Sequence, residues 1–290
     1  MRRFKLEICY RGTAYSGWQI QAGQVGVRTV QEELELALEQ ITGTRSHVSG
    51  SGRTDAGVHA LYQVAAFSSE TQLSPDVLTR ALNATLPLAI RVWRTSVVAD
   101  SFHPLRGVEL KRYRYLMSDS RPAFPFFREL VWISNRPLDL ERMKAAADFL
   151  VGEHDFKAFQ TMGSPRLSTV RIVYDLVVKR LNMAEAWLAP RQSNREYTGK
   201  NIPPQETLPG ANAFPVPDLI AIEVEANGFL YNMVRAIAGT LYLFGQRHKG
   251  FENPDAMKKI LESGDRALAG PTAPPQGLYM INVQYQGGQK

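Results

Sequence analysis

Two spacings of apolar residues constrain this chain more than anything else in it. In the opening segment Phe4, Leu6, Ile8 and Tyr10 alternate with Lys5, Glu7 and Cys9, the period of two that belongs to a strand with one buried face. In "RTVQEELELALEQITG" the period changes: Val30, Leu34, Leu38 and Ile41 recur at helical spacing, Thr29 and Glu32 have the separation of a capping box, and Gly43 ends the run. The two periods then keep exchanging. "YQVAAFSS", "IRVWRTSVV", "VELKRYRYLMS", "STVRIVYDLVVKRL", "LIAIEVEANGF" and "GLYMINVQY" read as strands. Between them lie helices in "SPDVLTRALNATLP", with Ser74 as cap and Pro75 as first residue, and in "DLERMKAAADFLVG". A buried helix is expected from Phe229, and another in "NPDAMKKILESGD" with Asn253 as cap and Pro254 first. Each half supplies several strands and about two helices. That order predicts an α+β chain of two lobes, residues 1–106 and 107–290, around a shared sheet. Residues 189–218, rich in Pro, Gly, Asn and Gln and without periodicity, are expected to form a long exposed insertion in the second lobe.

The bounds on function follow from length and charge. With 290 residues, 44% hydrophobic and 21% charged, the chain can bury its own core and falls outside the disordered class. A single cysteine, Cys9, excludes an internal disulfide and any multi-cysteine metal site. The N-terminal "MRRFKLEICYRG" has no apolar run of signal-peptide length, and the longest apolar stretch, residues 229–245, is interrupted by Asn232 and Arg235 and is too short for a bilayer. A cytoplasmic protein without membrane contact is the expectation. Thirty-four basic against 28 acidic residues leave a net charge of +6, which favours an anionic partner.

The densest chemistry lies in "SGSGRTDAGVHALYQ", residues 49–63. Gly50, Gly52 and Gly57 let the backbone turn where side chains would forbid it, and Asp55 stands among them with Arg53 two residues before and His59 four after. Two readings fit: an Asx turn, or a reachable carboxylate kept ionised by a neighbouring cation. Metal chemistry has no support, because the loop lacks the alternating oxygen ligands of a calcium loop and "GEHDF" has no second histidine at ligand spacing. The chain also lacks a G-x-S-x-G nucleophile elbow and a phosphate-binding glycine loop with its lysine. In "KRYRY" the strand period puts Lys111, Tyr113 and Tyr115 on one face and Arg112 and Arg114 on the other. Such a strand either stacks a base and holds phosphates or is an ordinary strand with snorkelling arginines. Arg235, inside an apolar helix, requires a partner: Asp55, a ligand phosphate, or a carboxylate elsewhere in the fold.

Several motifs taken together, "SGWQ", "VQEELELAL", "GRTDAGVHA", "KRYRY", "NGFLYNMVRAIAGTL" and "TAPPQGLYMINVQY", resemble in order and spacing the tRNA pseudouridine synthase A family along most of the chain. The resemblance implies the pseudouridine synthase fold, with a mainly antiparallel sheet and a central RNA-binding cleft. It implies isomerisation of uridine to pseudouridine at positions 38 to 40 of the tRNA anticodon arm, without cofactor or metal, by a homodimer. Asp55 matches the essential carboxylate, Arg53 a residue suited to the position vacated by a flipped base, Tyr113 the tyrosine beside that base, and Arg235 the arginine that accompanies the aspartate. Lys111, Arg112 and Arg114 become candidate phosphate contacts. A carboxylate can serve by attacking the sugar, adding to the ring or taking a sugar proton. A synthase of other RNA sites and a non-catalytic RNA-binding protein are the alternatives. The chain departs from the family in two places: Pro104 and Leu105 follow His103 where Ala and Arg are usual, with Arg106 displaced by one, and the 189–218 segment is long.

Overall fold

Strand pairing in this chain does not follow chain order. The computed structural model describes residues 1–21, 23, 26–121, 123–161, 168–187 and 218–286; the expected insertion, Asp218 apart, lies outside the described residues. Ten strands are described: β1 (Arg2–Tyr10), β2 (Ser49–Gly50), β3 (His59–Ser69), β4 (Ile90–Val98), β5 (Val108–Ser118), β6 (Trp132–Ile133), β7 (Gly152–Asp155), β8 (Val170–Leu181), β9 (Leu219–Ala226) and β10 (Leu278–Tyr285). They form one sheet of order β4-β1-β3-β10-β5-β9-β8-β7, with β2 on β3 and β6 on β5. The main path is antiparallel except where β10 meets β3, a short parallel contact of Tyr279 with His59 and Met280 with Ala60. The last strand therefore joins the strands of the first hundred residues to those of the rest, since its other edge pairs with β5 from Leu278↔Tyr115 to Tyr285↔Val108.

The helices are α1 (Val30–Thr42), α2 (Pro75–Thr85), α3 (Leu140–Ala147), α4 (Met183–Ala186), α5 (Met233–Gly245) and α6 (Ala256–Ser263). One continuous apolar cluster links Leu34 and Leu78, from α1 and α2, through Ile8 and Tyr115 of the sheet to Met143 and Ile237 of α3 and α5. A smaller cluster on the reverse face gathers Leu116, Phe127, Ala221 and Ile281. The sequence periods find these faces well. In β1, however, Lys5 and Glu7 are buried along with the apolar set, because β1 is flanked by β3 and β4. Lys5 lies 3.3 Å from Glu7, and Arg94 of β4 lies 2.7 Å from the same carboxylate oxygen, so the charges are compensated.

Helix starts are less well foreseen. Thr29 accepts from the amide of Glu32 at 3.3 Å, but only that half of the capping box forms. The helix expected from Phe229 begins at Met233, because Asn232 takes a left-handed conformation (φ 60°, ψ 8°) that ends the preceding turn. Likewise α6 begins at Ala256 rather than Pro254: Asn253 accepts from the amide of Asp255 at 3.0 Å and so closes a turn instead of capping the helix.

Candidate active site

The Asp55 loop runs from the end of β2 into β3 and is pinned on several sides. The carbonyl of Thr54 accepts from the Trp18 amide at 3.0 Å, and Gly57 donates to the Tyr15 carbonyl at 3.2 Å. The Thr54 hydroxyl lies 2.7 Å from that of Tyr10, and Gln63 donates to the Gly52 carbonyl at 2.8 Å. Val58 donates back to the Asp55 carbonyl at 3.1 Å, closing a tight turn in which Gly57 has φ 78°, a conformation costly for other residues. The "SGW" segment is thus the clamp that holds the loop. With its backbone fixed, the loop presents the Asp55 side chain, 31% exposed, to a cleft of about 840 Å³.

Among the described residues lining that cleft Asp55 is the only carboxylate, and it shares the lining with Arg53, Lys111, Arg235, His47 and His103. Arg235 stands 3.6 Å from an Asp55 oxygen and is only 15% exposed. Its Nε donates to the Ala273 carbonyl at 2.7 Å and a terminal nitrogen donates to Asn232 at 2.8 Å. The sequence expectation that a cation holds this carboxylate ionised is met only in part. Burial raises the Asp55 pKa above the usual aspartate value, and the opposing pull of Arg235 leaves the net direction upward. Across the cleft, Tyr113 is almost fully buried and meets the Phe229 ring edge-on at 5.0 Å. Burial, with smaller contributions from Tyr10 and Asp55, holds its phenol far above the ordinary range, so it stays protonated. At Gly52 a Cβ would come within 2.9 Å of the Met280 methyl carbon, while Lys111 Nζ at 3.5 Å and the Tyr113 hydroxyl at 3.7 Å would be in ordinary contact.

The structure brings together Asp55, Arg53, Lys111, Tyr113 and Arg235, with Arg53 exposed at the mouth. It separates Arg112 and Arg114 from them. Both project from the opposite face of β5, where Arg112 pairs with Glu225. Arg114, 5% exposed, donates to Glu223 at 2.9 Å and to the carbonyls of Glu185 and Ala186 at 2.9 and 2.7 Å. Alternation along β5 is the reason they do not reach the cleft, and on the other face they meet cross-strand carboxylates on β9 and, for Arg114, the end of α4. His59 also turns away: its Nδ1 accepts from the Gly12 amide at 3.0 Å and its ring stacks on Tyr279. Cys9, whose thiol burial pushes up to about 11, borders a separate apolar groove behind the sheet. No group of three His, Cys, Asp or Glu able to hold a metal occurs among the described residues.

Sequence reasoning did not single out Gln19, Gln31, His47 or Tyr231, which line the cleft from segments far apart in the chain; no local spacing marks them. Gln19, Gln31 and Tyr231 stand inside the motifs that carry the family resemblance without a role assigned to them, His47 stands outside them, and Asn232 showed as a polar interruption of an apolar run. In the stretch that departs from the family pattern, His103 and Leu105 line the cleft and Arg106 does not, because Pro104 is tied by its carbonyl to the Tyr285 hydroxyl at 2.8 Å.

Residues 8–103 and 146–286 match the family model described as tRNA pseudouridine synthase. The chain belongs to this family and is an isomerase with the α+β pseudouridine synthase fold. It is 41% identical over 285 residues to the tRNA pseudouridine synthase A of Thermoanaerobacter sp. (strain X514), covering 98% of this chain and 100% of the relative. The enzymes of the same name from Geotalea uraniireducens and Brevibacillus brevis are 39% and 38% identical, each over 98% of this chain and all of the relative. No helix among the described residues is long and apolar enough to cross a membrane.

Proposed function

We propose that the chain converts uridine to pseudouridine at positions 38 to 40 of the tRNA anticodon arm, with Asp55 as the essential carboxylate. The observation that carries this reading is a lone carboxylate among the described residues of the cleft, backbone-clamped and partly exposed, which shares the lining with cations, amides and aromatic rings. The reaction breaks the bond from N1 of uracil to the ribose, turns the base, and forms a bond from C5 to the same sugar carbon. The C5 proton leaves and N1 gains one, so nothing is oxidised or consumed. Hydrolysis of a similar bond by two carboxylates requires an activated water; an isomerase must keep water out, and one carboxylate suffices. Asp55 acts on the sugar or on the ring, and all three routes need it ionised at the moment of attack or proton removal.

The target base must leave its stack, at a cost of a few kcal/mol. Arg53, exposed at the cleft mouth, is suited to the vacated position, and Lys111 to a phosphate or base contact. Tyr113, kept protonated by burial, offers packing and a neutral hydroxyl. The resemblance further supports a cytoplasmic homodimer, which sedimentation equilibrium tests by mass. Release of tritium from tRNA labelled at C5 of uridine, comparing the native chain with Asp55→Ala, tests the central claim. Release by the native chain alone, mapped to the anticodon arm, supports it. Release mapped elsewhere moves the target to other RNA sites, and tight tRNA binding without release favours a binding protein.

A further inference from the structure

Asparagine at a helix N-cap ordinarily accepts from the backbone N–H of the second or third helical residue. Asn232 caps α5 and makes no such bond. Its Oδ1 instead accepts from the side chain of Arg235 at 2.8 Å, and its Nδ2 donates to the Thr161 hydroxyl at 3.0 Å. The left-handed backbone (φ 60°) is one that asparagine adopts more readily than other non-glycine residues. Capping of α5 does not account for the two side-chain bonds. The guanidinium nitrogen that Asn232 receives is the one 3.6 Å from Asp55, while Nε is anchored separately on the Ala273 carbonyl. Two fixed acceptors define the plane of a guanidinium; one leaves it free to swing about its anchored nitrogen.

We propose that Asn232 is a positioning residue for the isomerase: its amide, braced by Thr161, sets the plane of the Arg235 guanidinium against Asp55. The inference rests on the assignment of Asp55 as the essential carboxylate. The titratable groups that line the cleft with Asp55 are Arg235 from α5, Tyr113 and Lys111 from β5, the exposed Arg53 on its own loop, and His47, His103 and Tyr231 from the surrounding segments. Asn232 governs only the first of these.

The test is tritium release by Asn232→Gly, Asn232→Asp and Asp55→Ala, with kcat, KM and the pH profile measured separately. Glycine adopts the left-handed backbone freely, so Asn232→Gly removes the amide without straining the turn, and its urea midpoint should stay close to native. Its kcat should fall about ten- to a hundred-fold, the range expected of a small misplacement, with little change in KM. The acid limb of kcat/KM should move to higher pH as the cation leaves Asp55. Asn232→Asp keeps the acceptor, takes a bond from the Thr161 hydroxyl, and should recover most of kcat above that limb. Native kcat and acid limb in Asn232→Gly overturn the proposal, as does a loss that neither shifts the limb nor recovers in Asn232→Asp. If Asp55→Ala still releases tritium, it is the Asp55 assignment that fails.

Discussion

Arg114→Ala separates a structural role from a substrate role in the most basic strand of the molecule. Arg114 is buried on the reverse face, with acceptors that include the Glu223 carboxylate and the carbonyls of Glu185 and Ala186. Removing one partner of a buried ion pair costs about 3–5 kcal/mol, chiefly because the other charge is left uncompensated. Here Lys179, 3.4 Å from the same Glu223 oxygen and half-exposed, remains to neutralise it, which places the loss near the lower end. The two carbonyls at the end of α4 lose their donors as well, so a destabilisation of about 3 kcal/mol is expected. For a chain of 290 residues that lowers Tm by about 5 °C. Urea unfolding reads the loss directly, and tRNA filter binding across a salt series reads the phosphate count. The binding slope against log salt should be native, because no phosphate contact is lost. A native urea midpoint together with weaker binding and a shallower salt slope would refute the placement of Arg114 behind the sheet. Arg53→Ala should do the reverse, leaving the midpoint alone and weakening binding.

Four further outcomes follow from the site and from the buried His59 behind it. Asp55→Ala should abolish tritium release while leaving tRNA affinity largely intact; turnover at a native rate would remove its assigned role. Because the folded Asp55 pKa lies above its unfolded value, the folded state holds this proton more tightly and its ionisation lowers stability as pH rises through that window. Asp55→Asn should therefore be at least as resistant to urea as the native chain at pH 7, and a lower midpoint would contradict the burial argument. His59 has the opposite sense: its folded pKa is depressed from 6.5 to about 4, first by burial, and its Nδ1 is engaged by Gly12. Unfolded His59 protonates first, so stability should fall between pH 6.5 and about 4 by roughly 3 kcal/mol, a loss absent in His59→Gln if that variant folds. Tyr113→Phe distinguishes the hydroxyl from the ring: reduced release with unchanged binding assigns a role to the oxygen, and native release leaves the ring as packing.

Local spacing determined most elements of this chain, and the order of several motifs carried its resemblance to the family. Period-two and helical runs located β1, β3, β4, β5, α1 and α2, because their buried faces repeat within a few residues of sequence. Glycines around Asp55 left an Asx turn and a reachable carboxylate both open, and Arg235 in an apolar run announced a buried cation needing a partner. Tertiary structure decided which partner. Asp55 and Arg235 are 180 residues apart, and they meet because β10 inserts between β3 and β5, an arrangement no local pattern encodes. The same insertion sent Lys111 and Tyr113 into the cleft and left Arg112 and Arg114 to carboxylates on β9. Alternation sorted the two faces of β5 correctly but could not say which one held the site, since a strand's period is blind to what covers each side. Nor could propensity show that Asn232 would forgo the helix backbone for a side chain one turn along, because that choice depends on Thr161 and Ala273 arriving from distant segments.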